Sequence, residues 1–230
     1  MTPRRLARLA TAATLVLALT ACVSDAPTRE EASREAYSAA ARQASASSHE
    51  RISTLLSAVT QAAPLRSVAT SRQDICRAGD TNTLWPHDDY RIRCDLSETR
   101  YFGADGDILD VLREVDKRAK AAGLMPTTTS AVEEIERYLA ANGRTDDGLL
   151  LPEPGLSYLV PGHDSTVGVG WRRDISTLSN QGVTQLTWPT VFLEANSVDF
   201  DTLRSGLLRR SEYLVTVSSG TTYYEVPWPS

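Results

Sequence analysis

Tyr90-Arg91-Ile92-Arg93-Cys94-Asp95-Leu96-Ser97-Glu98-Thr99-Arg100-Tyr101-Phe102 alternates apolar and polar residues. Ile92, Cys94 and Leu96 fall on one face, with Arg91, Arg93 and Asp95 on the other. A period of two belongs to a strand with one buried and one wet face. The loop before it, residues 79–89, carries Trp85, Pro86, His87, Asp88 and Asp89.

Downstream, Gly103-Ala104-Asp105-Gly106-Asp107 forms a turn. Ile108, Val111, Leu112, Val115, Ala119 and Ala122 then recur on one helical face, and Gly123 suits the left-handed residue that ends a helix. Ser130 and Glu133 make a capping box for a second helix, which turns Val132, Ile135 and Leu139 inward and stops at Asn142-Gly143. After residue 155 the character is β. Residues 156–160 and 166–172 read as strands around Pro161-Gly162-His163-Asp164-Ser165, followed by 183–188 and 191–195. A short helix at 201–210 carries Leu203, Leu207 and Leu208. A hairpin closes the chain, with strands at 213–217 and 221–226 turned at Ser218-Ser219-Gly220.

Upstream, Thr28 and Glu31 form another capping box, and no Pro or Gly follows until Pro64. The early part of this helix offers only alanines as an apolar stripe, whereas Ile52, Leu55, Leu56 and Val59 give the later part a docking face. The pattern predicts a stalk, loosely held at first and packed at its end. His49, between Ser48 and Glu50, is expected in solvent. The fold class that follows is α+β: an antiparallel sheet of five or six strands, two or three helices on one face, and an N-terminal stalk helix before them.

The first 22 residues carry a different message. Arg4, Arg5 and Arg8 precede an apolar run from Leu9 to Leu19, broken only by Thr11 and Thr14. A membrane span needs roughly 20 apolar residues, so this run suits a cleaved export signal. Arg4-Arg5 lacks the bulky apolar residue that twin-arginine signals show two places on, because Ala7 stands there. Leu19-Thr20-Ala21-Cys22 resembles the lipobox of bacterial lipoproteins. The resemblance covers only this first tenth of the chain. It implies cleavage before Cys22, a diacylglyceryl group on the Cys22 sulfur, and retention at the outer face of the cytoplasmic membrane. Three segments are then expected: a signal peptide at 1–21, a lipid anchor and stalk at 22–63, and one globular domain at 64–230.

Without Arg4, Arg5 and Arg8 the chain holds 21 basic and 29 acidic residues, a formal charge of −8. That balance disfavours nucleic acid as a partner and leaves membrane attachment to the acyl chains, two or more of which anchor stably. With Cys22 lipidated, Cys76 and Cys94 remain as an even pair in an exported protein, and a disulfide is expected. A loop of that size contributes about 3 kcal/mol by the chain-entropy argument.

Chemistry is thin by comparison. His163-Asp164-Ser165 and His87-Asp88-Asp89 hold hydrolase residue types, but neighbours in sequence point in different directions and no Gly-x-Ser-x-Gly elbow accompanies them. Asp105, Asp107 and Asp110 hint at a calcium loop. Leu109 and Asp110 stand where the loop needs an oxygen ligand and a glycine, so capping of the next helix accounts for them better. Neither a metal nor a cofactor is expected. Gly168 and Gly170 lie inside a strand pattern, where glycine admits another backbone or a large ring. Trp171, Trp188, Tyr213, Tyr223 and Tyr224 are either strand core or a half-exposed ligand surface. Two functions follow. One is a non-catalytic envelope protein that binds a cell-wall glycan, a lipid or a protein; the other is an anchored hydrolase with a cleft near His87 or His163.

Overall fold

A computed structural model of the chain describes residues 26–61, 63–80, 88–128, 131–142, 155–172, 189–207 and 210–229. Cys22, His87, Trp188, the capping position Ser130 and the strand expected at 183–188 lie outside the described residues.

Seven strands form one sheet among the described residues: β1 (Arg66–Ala78), β2 (Tyr90–Ala104), β3 (Met125–Pro126), β4 (Leu156–Leu159), β5 (Thr166–Arg172), β6 (Thr190–Asn196) and β7 (Tyr213–Pro227). Their order is β3-β4-β5-β7-β2-β1-β6, with every neighbouring pair antiparallel. The alternating stretch at 90–102 is the middle of this sheet. β2 pairs with β1 on one side and with β7 on the other along nearly its whole length. The residues 66–78 carry no clean alternation, and their strand is made by pairing with β2 and β6.

The helices are α1 (Arg29–Ala36), α2 (Ala39–Thr60), α3 (Ile108–Ala121), α4 (Ala131–Asn142) and α5 (Phe200–Leu207). The first four cover the face that carries Ile92, Cys94, Leu96 and Phe102. There Ile52, Leu56 and Val59 of α2 meet Val111, Leu112 and Val115 of α3 and the strand residues Val167, Val169, Val215 and Val217. α5 packs on the other face through Leu203, against Leu214 and Tyr101. Tyr101 and Phe200 meet edge to face, with ring centroids 5.8 Å apart.

Three expectations change. The continuous stalk is two docked helices. The capping box forms, with Glu31 N–H donating to Thr28 Oγ1 at 3.2 Å and Thr28 N–H to Glu31 Oε2 at 2.9 Å. The helix then stops at Tyr37, and Ser38 caps α2 by accepting from Ala41 N–H at 3.1 Å. Ala32, Ala36 and Ala41 are fully buried. An alanine stripe binds where a sheet approaches closely, and here Ala32 and Ala36 rest on Cys76, Cys94 and Val191.

The C-terminal hairpin is one strand. Ser218, Ser219 and Gly220 pair with Thr99, Glu98 and Ser97 of β2 and with Gly168, Val167 and Thr166 of β5. Gly220 marks a close approach within the sheet, where a Cβ would sit 3.2 Å from the Leu96 carbonyl oxygen, rather than a turn of the chain. His49 is not free in solvent: its Nε2 lies 3.6 Å from Glu194 Oε2.

Cys76 and Cys94 face each other across β1 and β2, with sulfurs 1.98 Å apart. Nearby, Arg72 and Arg100 close on Glu98, whose side chain is 2% exposed. Arg100 also donates to Ser57 Oγ at 2.9 Å and to Ser53 Oγ and carbonyl at 3.0 and 3.1 Å. This clasp holds α2 on the sheet. Burial pushes the Glu98 carboxyl up, but the two guanidinium groups outweigh it and hold it below the usual range.

Candidate peptide-binding groove

β6 covers only part of the β1 edge. The pairing runs from Arg72–Asn196 to Arg77–Thr190, so residues 66–71 have no strand on that side among the described residues. A free edge presents unpaired backbone N–H and C=O groups, about half of those in the stretch. The chain leaves β6 at Asn196 and, after Ser197, Val198 and Asp199, enters α5. Asp199 starts that helix by accepting from Asp201 N–H at 3.0 Å and Thr202 Oγ1 at 2.6 Å.

Between the free edge and α5 lies a cleft of about 590 Å³. One wall is Arg66, Ser67, Val68, Ala69 and Thr70; the other is Val198, Asp199, Thr202, Leu203 and Gly206. Its volume falls within the range of small ligand sites, about 300–1,000 Å³. The β1–β2 register shifts between Ser67 and Ala69, which bulges Val68 outward and leaves it 36% exposed. Gly206 has open space where a Cβ would stand, so α5 leaves the cleft wide at that point.

The two ends differ in charge. Asp199 marks the start of α5, while Arg66 and Arg210 stand beyond its end. Arg66 Nη2 donates to the Arg210 carbonyl at 2.7 Å and to Ser211 Oγ. The cleft therefore suits an extended chain that lies along β1, places a small apolar side chain on Ala69 and Leu203, and ends or turns acidic near the two arginines.

The aromatic residues singled out in the sequence are elsewhere. Trp171 and Tyr213 are core residues, 7% and 6% exposed, and belong to the main cluster under the helices. Tyr223 and Tyr224 lie at a register shift between Cys94 and Asp95, which brings both to the α1 side. Tyr223 donates to Asp74 Oδ1 at 2.6 Å, and Tyr224 to Glu35 Oε2 at 3.0 Å. Burial, then the paired carboxylate, pushes both phenols up. Tyr224 thus joins β7 to α1, while Tyr223 joins β7 to β1 through Asp74, which also accepts from Ser45 Oγ of α2 at 2.7 Å. No protein-family model, curated protein or solved structure matches this chain.

His163 stands on an exposed turn, and its Nδ1 is 2.8 Å from an Arg51 guanidinium nitrogen rather than beside a carboxylate. Asp107 caps α3 by accepting from Leu109 N–H at 2.9 Å, and Asp105 accepts from Glu212 N–H at 3.0 Å. Gly168 and Gly170 make room for cross-strand hydroxyls: a Cβ would meet Ser218 Oγ at 3.3 Å and Thr216 Oγ1 at 3.0 Å. Sequence reasoning passed over Arg66, Val68, Thr202 and Gly206. The one legible signal was Asp199, three residues before Thr202, at the start of a short helix.

Proposed function

We propose that this chain is a lipoprotein of the cell envelope, tied to the outer face of the cytoplasmic membrane through Cys22. Its domain is a non-catalytic binding module that takes an extended segment of an envelope protein as an added strand on β1. The export signal and the Leu19-Thr20-Ala21-Cys22 order support the anchor. The observation that carries the binding role is the bare edge at 66–71 facing α5 across an open cleft. Main-chain hydrogen bonds to that edge would supply affinity, and the small apolar floor and the paired arginines would supply selectivity.

Gly206→Phe tests this reading, because the added ring enters the cleft and nothing else lies within 4 Å of its Cβ position. A photo-crosslinking residue at Val68 in intact cells is expected to capture a partner through one contiguous segment, and Gly206→Phe to abolish the product while far-ultraviolet dichroism stays unchanged. Equal crosslinking with and without the phenylalanine would overturn it.

A further inference from the structure

The same anchor bears on how the domain sits. Arg29 lies seven residues after Cys22, so the intervening chain reaches at most about 25 Å even when fully extended. α1 cannot act as a spacer beyond that, since Ala32 and Ala36 are buried against the sheet. The α1 side of the domain is thereby confined to the neighbourhood of any bilayer that holds Cys22.

On that side Glu31 is paired with Arg91 and Glu35 accepts from Tyr224, and the cleft lining carries two cations, Arg29 and Arg34, against one anion, Glu30. Arg29 and Arg34 are exposed and form no ion pair among the described residues. They border a cleft of about 790 Å³ between α1 and β6, shared with Glu30, Tyr37 and Phe192. Tyr37 is 52% exposed where the helix ends, an amphipathic ring at the rim of the cleft. Free guanidinium groups beside a half-buried phenylalanine and an exposed tyrosine are the chemistry of the membrane interface, where the cations meet phosphate and the ring sits at headgroup depth.

We infer that this α1–β6 face docks on anionic phospholipid headgroups, with Arg29 and Arg34 on phosphate and Tyr37 in the interface. The inference rests on the lipid-anchor reading, and it makes the patch a second membrane signal beside the acyl chains. Docking the α1 side also fixes the orientation of the domain on the membrane.

The test uses the processed protein, purified from membranes and placed in vesicles of phosphatidylcholine alone or with phosphatidylglycerol. Side-chain oxidation read by mass spectrometry is expected to slow at Tyr37 and Phe192 only in the anionic vesicles, and to recover at high salt. Arg29→Gln with Arg34→Gln is expected to lower the docked-to-free ratio about thirtyfold, since each cation near an anionic surface is worth about 1 kcal/mol. Equal oxidation in both vesicle types, or no effect of the two substitutions, would overturn the docking. So would protection in neutral vesicles by added glycerol phosphate, which would make the site one for a free anion. The mass of the N-terminal peptide from the same sample separates the two readings. An unacylated Cys22 would bring down the anchor and the docking together, whereas acylation without protection would bring down the docking alone.

Discussion

Glu98 shows at the scale of one residue how a carboxylate on a buried face becomes structural. The alternation at 90–102 places it on the same face as Cys94 and Leu96, where a lone carboxylate would be costly to bury. Arg72 at 2.9 Å and Arg100 at 2.7 Å offset that cost, and Arg100 carries the connection on to Ser53 and Ser57. Glu98→Gln removes the charge both arginines hold. It is expected to cost about 2 kcal/mol in urea unfolding, below the range for a fully buried pair because Arg72 is 29% exposed and Arg100 18%. The pH dependence has a fixed sign. A carboxyl lowered in the folded state contributes stability above its unfolded value near 4.5, and that contribution disappears as pH falls through the folded value. The wild type should therefore lose more stability than the Gln variant between pH 5 and pH 3, measured by denaturation at each pH. The residue type was legible, but its setting was not, because Arg72 reaches Glu98 only once β1 is in place, and Ser57 reaches Arg100 only once α2 is.

At the scale of the element, the sequence described helices well and their attachment poorly. The cap at Thr28, the face of α3 from Ile108 to Ala119 and the stop at Gly123, with φ of 81°, all stand as read. An alanine stripe has the same pattern whether it faces water or a closely approaching sheet, so the docking of α1 was invisible. Ala36→Leu separates the two cases. On a free stalk the substitution would be neutral, whereas at a fully buried position over the Cys76–Cys94 pair it is expected to cost about 1–3 kcal/mol in thermal or urea unfolding. β7 was split for a similar reason. Ser218-Ser219-Gly220 has turn composition, but pairing with β2 on one side and β5 on the other overrides local preference. The edge of β1 could not be read at all, since whether a strand is covered depends on where β6 ends.

For the whole molecule, the proposed reading rests on two devices: a lipid anchor at Cys22 and the uncovered part of the β1 edge that faces α5. Cys22→Ser tests the first, and the expected outcome is a folded domain that incorporates no labelled fatty acid and is released from membranes by washing; continued acyl incorporation would refute it. By itself the sequence determined the α+β class, the strand at 90–102, the helix caps at Thr28 and Asp107 and the pairing of Cys76 with Cys94, because these follow from periodicity, local hydrogen bonding and cysteine parity. Tertiary structure alone decided that Trp171 and Tyr213 are core, that the tyrosines at 223 and 224 are tied to carboxylates, and that residues 66–71, paired with β2 on one side, have no strand on the other among the described residues. The physical reason is range. A side chain's period is set by its neighbours in the chain, whereas its burial, its partner and the openness of an edge are set by strands and helices far away along it, such as Tyr224 on Glu35 at a separation of 189.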